Sequence, residues 1–289
     1  MANYKIITDV TCDLPVDIIR KHDLVIMPMK YNIGGVNYTN YEDFREQSLS
    51  DFYKEMRNGQ NTHTVQLNSE IYMEIYRKYL DDGYDILGII FSSGLSGSYN
   101  SARLAVEELK EQYPDRNIKI VDTLAASTGE GLIALKACNN KENGMDIEQN
   151  YNDIENFKMK VAHWFTVDNL EYLRRGGRVS NTAAFAGKLL NIKPVLHVDN
   201  EGHLIPIYKK IGRKTSIREI AKQYIETSDK TYNTVFITHA DCIDDAMYLK
   251  SLIEENNTQT EIIISNIGTV IGSHSGPGTL ALFFKASHR

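Results

Sequence analysis

The sequence predicts an α/β protein in two parts: an N-terminal α/β/α domain built on a parallel sheet (residues 1–155) and a C-terminal α+β domain with a mixed sheet (residues 156–289). Three observations predict this. Short apolar runs of strand length alternate with helix-period stretches as far as about residue 139, which favours a parallel sheet covered on both faces. A charged, apolar-poor stretch, KENGMDIEQNYNDIEN (141–156), marks the division. Beyond it, hairpin signals and helices are interleaved, the pattern of an α+β domain.

In order, residues 4–7 read as a strand, and the polar turn from Thr8 to Asp13 leads into a helix to Lys21, with Asp13 and Pro15 as start signals. Residues 24–33 read as one strand ended by Gly34-Gly35. Ser50 is the expected cap of a helix ending at Gly59, and Asn68-Ser69 starts another ending near Gly83, with a polar segment (60–68) between them. The strand 86–91 leads into Ser92–Ala102, SSGLSGSYNSA, and a helix to Tyr113 follows. Residues 117–121 form the next strand and 129–139 a helix. In the second part, a helix continues to Lys158. Strand 161–167, a short helix 170–175 ended by Gly176-Gly177, and a helix over 182–191 come next. Residues 193–198 and 203–211 pair as a hairpin through Asn200-Glu201-Gly202. Helix 215–226, strand 234–238, helix 244–255, and strands 261–265 and 280–285 complete the chain. The last two bracket a loop ending His274-Ser275-Gly276-Pro277-Gly278.

In a parallel α/β sheet, ligands sit outside the carboxyl ends of the strands. Those ends carry Thr8 and Asp9, then Ser92, Ser93 and Ser96, then Asp122 and Thr123: one polar rim. The glycines of the serine loop let the chain turn sharply, and five serines gather before a helix start. Free N–H groups and partial positive charge at such a start suit an anionic or carboxyl head group; a plain polar connection is the bland alternative.

Composition narrows the classes. A net charge of −6 gives no footprint for nucleic acid. No apolar run approaches the ~20 residues of a membrane span, and the start MANYKIITDVTCD lacks the regions of a signal peptide, so a cytoplasmic protein is expected. Cys12, Cys138 and Cys242 are odd in number and far apart, with neither disulfide nor metal spacing.

For catalysis, Gly94-Leu95-Ser96-Gly97-Ser98 nearly supplies a nucleophile elbow, but Ser98 stands where the second glycine belongs. A serine hydrolase or esterase using Ser96, with Asp122 and His274, therefore requires a geometry the spacing does not supply. The phosphate-binding patterns G-x-x-x-x-G-K-[ST] and G-x-G-x-x-G are absent, and no histidine or acidic pair has metal-ligand spacing. What remains is a polar constellation: Thr64, Ser96 and His274 as hydrogen-bonding groups, with Arg178 and Arg213 following glycines in loops, where a guanidinium either presents its planar fork to an anion or stands in solvent.

Eight segments in order resemble the DegV family, the fatty-acid-binding subunits of bacterial fatty acid kinase. They are T-D-x-T-x-D-L-P at Thr8 to Pro15, Thr64-Val65-Gln66, the serine loop, V-D-T at Val121 to Thr123, L-x-x-G-G-R-x-S at Leu173 to Ser180, K-P-V-L at Lys193 to Leu196, G-R-K-T-S at Gly212 to Ser216, and H-x-G-P-G at His274 to Gly278. The resemblance runs from about residue 5 to 284 and implies a long-chain, palmitate-like fatty acid held between the two domains, with no further cofactor and no metal. It places Thr64, Ser96 and His274 on the carboxyl group, and Arg178 and Arg213 near the carboxyl mouth, where a partner kinase docks. It implies a carrier without catalytic residues, which presents the acid for ATP-dependent phosphorylation that feeds phospholipid synthesis. Val10, Cys12 and Val65 stand where the family has Ser, Ala and Ser, and the last exchange removes a hydroxyl beside Thr64. The physics agrees: an acyl chain of about sixteen carbons at roughly 0.8 kcal/mol per methylene supplies on the order of 10 kcal/mol before ordering costs. The polar groups then need only position the acid.

Overall fold

The structure is a computed structural model that describes residues 3–179, 191–256 and 260–287. The helix expected over 182–191 lies outside these residues but for Asn191. In chain order the first half contains β1 (Tyr4–Asp9), a 3-10 turn (Val10–Cys12), α1 (Val16–Lys21), β2 (Val25–Met27), β3 (Met29–Ile33), β4 (Val36–Asn40), α2 (Leu49–Arg57) and β5 (Thr62–Val65). It continues with α3 (Ser69–Asp81), β6 (Asp85–Ile90), α4 (Ser98–Gln112), β7 (Ile118–Asp122), α5 (Thr128–Glu142) and α6 (Ile147–Lys158). The expected parallel sheet is present, ordered β2-β1-β6-β7.

The expected strand 24–33 is two strands in two sheets. Pro28 has no N–H to give a ladder, and the chain changes sheet there. Val25 to Met27 pair in parallel with β1, whereas β3 pairs antiparallel with β4 and β5 in a separate three-stranded sheet. The polar segment 60–68 therefore contains a strand, β5, whose sequence THTV shows no apolar alternation. The α2 cap is Ser48, not Ser50; its Oγ accepts from the Asp51 amide at 3.1 Å. Asn68 caps α3 as expected, accepting from the Ile71 amide at 3.0 Å.

The second half contains β8 (Val161–Thr166), α7 (Glu171–Arg175), β9 (Ile192–Val198), β10 (Leu204–Ile211), α8 (Arg213–Thr227) and β11 (Thr234–His239), then α9 (Ile243–Glu254), β12 (Glu261–Asn266), α10 (Thr269–Ser275) and β13 (Leu280–Lys285). Its sheet is mixed, as expected, in the order β10-β9-β8-β13-β11-β12, with only β11 and β12 parallel. The loop before Gly276 holds a helix, α10, that its glycines and serines conceal.

One helix joins the halves. α5 packs on β1 and β6 of the first sheet and on β8, β11 and β13 of the second. Gly129 to Leu135 are all buried, so this helix has no solvent face over its first turns, as a helix enclosed on all sides must. A single apolar cluster accordingly runs from Tyr4, Leu14 and Leu87 through Leu132 and Ile133 to Phe165, Phe236 and Phe283. The hairpin tip also reaches across: Ser92 Oγ donates to the Gly202 carbonyl at 2.9 Å.

Candidate functional site

Between the carboxyl ends of the parallel sheet and the inner face of the mixed sheet lies a cavity of about 190 Å³. Its apolar wall comes from both halves: Met29, Phe91 and Leu95 from the first, Phe165, Val198 and Phe283 from the second, with Ile267, Val270 and Ile271 closing one side. Thr64, Ser96, His274 and Arg178 all line it, so four of the five residues singled out in the sequence share one cavity. Arg213 is not in the lining.

Each of the four is positioned by its element. Strand alternation turns Thr64 inward and Val65 outward; Val65 is 57% exposed, so its missing hydroxyl lies on the far face of β5 from the cavity. Thr64 Oγ1 lies 2.8 Å from His274 Nε2, a hydrogen bond between β5 and α10. Gly176 is glycine for a steric reason: a Cβ there would stand 2.6 Å from His274 Nδ1. Burial and then the nearby Arg178 charge push the His274 imidazolium down to a pKa of about 4, so the ring is neutral at pH 7. Ser96 Oγ lies 3.0 Å from Ser98 Oγ and accepts from the Ser98 amide at 3.2 Å, at the start of α4. Gln66, which the sequence offered only as part of a motif, also lines the cavity; its Oε1 accepts from the Gly97 amide at 3.1 Å and ties β5 to the serine loop.

Arg178 is half-buried. Its Nε donates to the Leu95 carbonyl at 3.1 Å and its Nη1 to the Gly176 carbonyl at 2.6 Å, but no carboxylate pairs with it among the described residues. Burial accordingly lowers its pKa from the ordinary guanidinium value. A desolvated cation without a counter-ion is costly unless an anion joins it. Arg213, the first residue of α8, is satisfied differently. Its Nε donates to Asp245 Oδ2 at 2.8 Å and Nη2 to the Gly278 carbonyl at 2.6 Å, and Nη1 lies 3.7 Å from Asp168 Oδ1.

The hydrolase geometry is not assembled. Ser96 bonds to Ser98 rather than to His274, whose Nε2 faces Thr64. Asp122 Oδ1 accepts from the Ser93 and Leu124 amides at 3.1 and 3.2 Å. An orienting carboxylate, base and nucleophile need mutual hydrogen bonds, and these three residues share none.

A second polar group was not foreseen. Asp9, Thr11 and Ser127 also line the cavity. Thr11 Oγ1 donates to Asp9 Oδ1 and lies 3.0 Å from Glu130 Oε2, while Thr8 donates to Glu130 Oε1 at 2.8 Å. One hydroxyl proton cannot serve two carboxylates, so one carboxyl keeps its own proton. Burial, then the Asp9 charge, push Glu130 well up, whereas burial takes Asp9 only to about 6. Glu130 therefore holds a proton more readily than Asp9, and Thr11 Oγ1 stands between the two carboxyl groups. Asp13, pushed to about 8 chiefly by burial, accepts from Ser127 Oγ at 2.6 Å and from the Gly268 amide at 2.9 Å, holding the halves together. In the sequence the rim position of Thr8 and Asp9 and the segment from Thr8 to Pro15 pointed here, but nothing marked Glu130, an acid inside a helix.

Burial also pushes the Cys12 thiol well up, which keeps it protonated and unreactive. No helix among the described residues is long and apolar enough to cross a membrane, and no cluster of histidine, cysteine and acidic residues there has the makings of a metal site.

Comparison with known proteins gives a consistent picture. The profile of the family described as "Uncharacterised protein, DegV family" matches residues 3–287. A DegV domain-containing protein of Clostridium perfringens is 42% identical over 98% of each chain. The crystal structure of a DegV lipid-binding protein from Thermotoga maritima superposes with a TM-score of 0.86 at 32% identity, covering 100% of both chains. A DegV family protein from Thermus thermophilus, described for its fatty acid binding, gives 0.86 at 29% identity, covering 98% of this chain and 99% of that one.

Proposed function

The chain belongs to the DegV family, and from that premise we propose that it carries a long-chain fatty acid in the cavity between its halves and presents the carboxyl group to a separate ATP-dependent fatty acid kinase. The observation that carries this reading is Arg178: a half-buried guanidinium without a carboxylate partner among the described residues, on the wall of an otherwise largely apolar cavity. A fatty acid is the ligand whose two ends match those two features. Its alkyl chain takes the apolar wall, at roughly 0.8 kcal/mol per buried methylene. Its carboxylate takes hydrogen bonds from Thr64 and Ser96 and the charge of Arg178, with His274 acting on it through Thr64.

The neutral state of His274 fits this role. A ring carrying its proton on Nε2 donates to Thr64 Oγ1 and frees the threonine hydroxyl proton for the carboxylate. In this reading Arg213, whose Nη2 donates to the Gly278 carbonyl, steadies the H-x-G-P-G turn as part of the surface offered to the kinase. The kinase performs the phosphoryl transfer, the acyl phosphate leaves for phospholipid synthesis, and both proteins work in the cytoplasm. The division at residue 155 separates the sheet that carries the serine loop from the sheet that closes over the chain.

The test has two parts. Lipid extracted from the purified protein should be a fatty acid at about one per chain by mass spectrometry, and addition of the kinase and ATP should convert it to acyl phosphate. Recovery of no fatty acid would overturn the carrier reading. Turnover of an activated ester by the protein alone, abolished in Ser96→Ala, would replace it with the hydrolase reading.

A further inference from the structure

Three of the sequence motifs meet at a residue that belongs to none of them. Asp168 follows β8, and Lys193 of K-P-V-L donates from Nζ to its Oδ1 at 2.7 Å and to its carbonyl at 3.1 Å. Arg213 of G-R-K-T-S lies farther off, with Nη1 3.7 Å from the same oxygen. Gly278 of H-x-G-P-G completes the group: its φ is +80°, and a Cβ there would collide with Asp168 Oδ2. The carboxylate fills the space that a side chain at 278 would take.

From this point two segments run against each other in opposite directions. Asp168 seats on Gly278, the Tyr172 ring on Gly276, and Gly176 on the His274 ring. At each place a Cβ on the glycine would collide with its partner, so a slip of one residue would drive Ser275 or Pro277 into the space a glycine now leaves. The first segment continues to Arg178 and the second begins at His274. The row of contacts that starts at Asp168 therefore ends at two residues of the cavity lining.

We propose that Asp168 is a positioning residue for the head group: pinned by Lys193, it fixes the register of 168–178 against 274–278 and so holds Arg178 and His274 in place around the fatty-acid carboxylate. This rests on the carrier reading. Asp168 is not in the cavity lining and does not touch the acid. Its side chain is 48% exposed, so the ion pair itself adds little to stability. Its effect is geometric, and affinity should report it where Tm does not.

The experiment compares full-length wild-type protein with Asp168→Ala, both delipidated. Palmitate should bind the variant about three- to tenfold more weakly, the equivalent of one neutral hydrogen bond, with Tm nearly unchanged. Asp168→Asn, which keeps the shape and an acceptor for Lys193, should restore most of the affinity. Lys193→Met, which serves if Asp168→Ala does not fold, should reproduce the effect, and the double variant should be no worse than either single one. NMR titration of the His274 ring without ligand reads the register directly. Burial and the Arg178 charge hold its pKa at about 4, and in Asp168→Ala it should rise toward the ordinary 6.5 as water reaches the ring. An unchanged affinity or an unchanged His274 pKa would overturn the proposal, and so would a loss of affinity that merely follows a fall in Tm. Failure of the wild-type protein to bind palmitate would overturn the carrier reading instead, and the ligand-free titration would still decide the role of Asp168.

Discussion

Arg178 and Arg213 look alike in the sequence, each following a glycine in a loop, and the structure treats them in opposite ways. Arg213 is spent within the protein, on Asp245, Asp168 and the Gly278 carbonyl. Arg178 spends its hydrogen bonds on two carbonyls, which satisfy its geometry but not its charge. The difference lies in the counter-ion: among the described residues Arg178 has no carboxylate partner on its cavity wall, which is why the proposed function assigns it the ligand. The carboxyl groups of the interior show a third solution to buried charge. Among the described residues no cation pairs with Glu130 or Asp13, and burial raises both pKa values, which favours their neutral forms.

The largest expected effect breaks the comparison at its open end. Arg178→Ala should weaken fatty-acid binding by about 10- to 100-fold, the equivalent of a charge-assisted hydrogen bond worth roughly 1.5–3 kcal/mol, with little loss of thermal stability. Titration of the delipidated variant would check this, and an unchanged affinity would refute the ligand role. Arg213→Ala should do the reverse. Removing a partly buried ion pair costs about 1–2 kcal/mol, so Tm should fall by roughly 3–6 °C while affinity stays within about twofold. Loss of the lipid in that variant would place Arg213 in the pocket after all.

Much of this was legible in the residues. The alternation of strand and helix gave the parallel sheet, the hairpin signals gave the mixed one, and the motifs brought Thr64, Ser96, His274 and Arg178 to one cavity. The failures have local causes. β5 is four residues without apolar alternation, because it is paired by its backbone and buries only the faces of Thr62 and Thr64. α10 is masked by its serines and by Gly272, which is small because Tyr53 packs against it; a Cβ there would stand 2.5 Å from the tyrosine hydroxyl. Glu130 was invisible because a glutamate in a helix ordinarily faces water. Only the enclosure of α5 between two sheets, a tertiary fact, buries it.

The proton solution can be tested by pH. Asp13 has an ordinary pKa of 3.8 and about 8 in the fold. The native state therefore keeps a proton that the unfolded chain has lost, and the stability this contributes is full below about pH 4 and disappears as pH rises through 8. Asp9 and Glu130 act with the same sign. Asp13→Asn, neutral throughout, keeps acceptors and donors for Gly268 and Ser127 and suits the left-handed backbone at φ 49°. Its Tm should fall less between pH 6 and 9 than that of the wild type, by a few degrees. An identical slope would mean that Asp13 is ionised in the native protein and that its charge is met in some other way.

The smallest effect sharpens the open end itself. Ser96 and Arg178 line the same cavity, but the serine offers a neutral hydrogen bond, worth about 0.5–1.5 kcal/mol, and Ser98 lies 3.0 Å away to share its work. Ser96→Ala should therefore weaken binding only about three- to tenfold, less than Arg178→Ala. It should also slow acyl-phosphate formation in a mixture with the kinase, because the carboxylate is then held by fewer donors. Binding measured beside phosphorylation separates the two roles. Were Ser96→Ala to cost more affinity than Arg178→Ala, the head-group end would be organised by the start of α4 and its amides, and the Arg178 guanidinium would have another purpose.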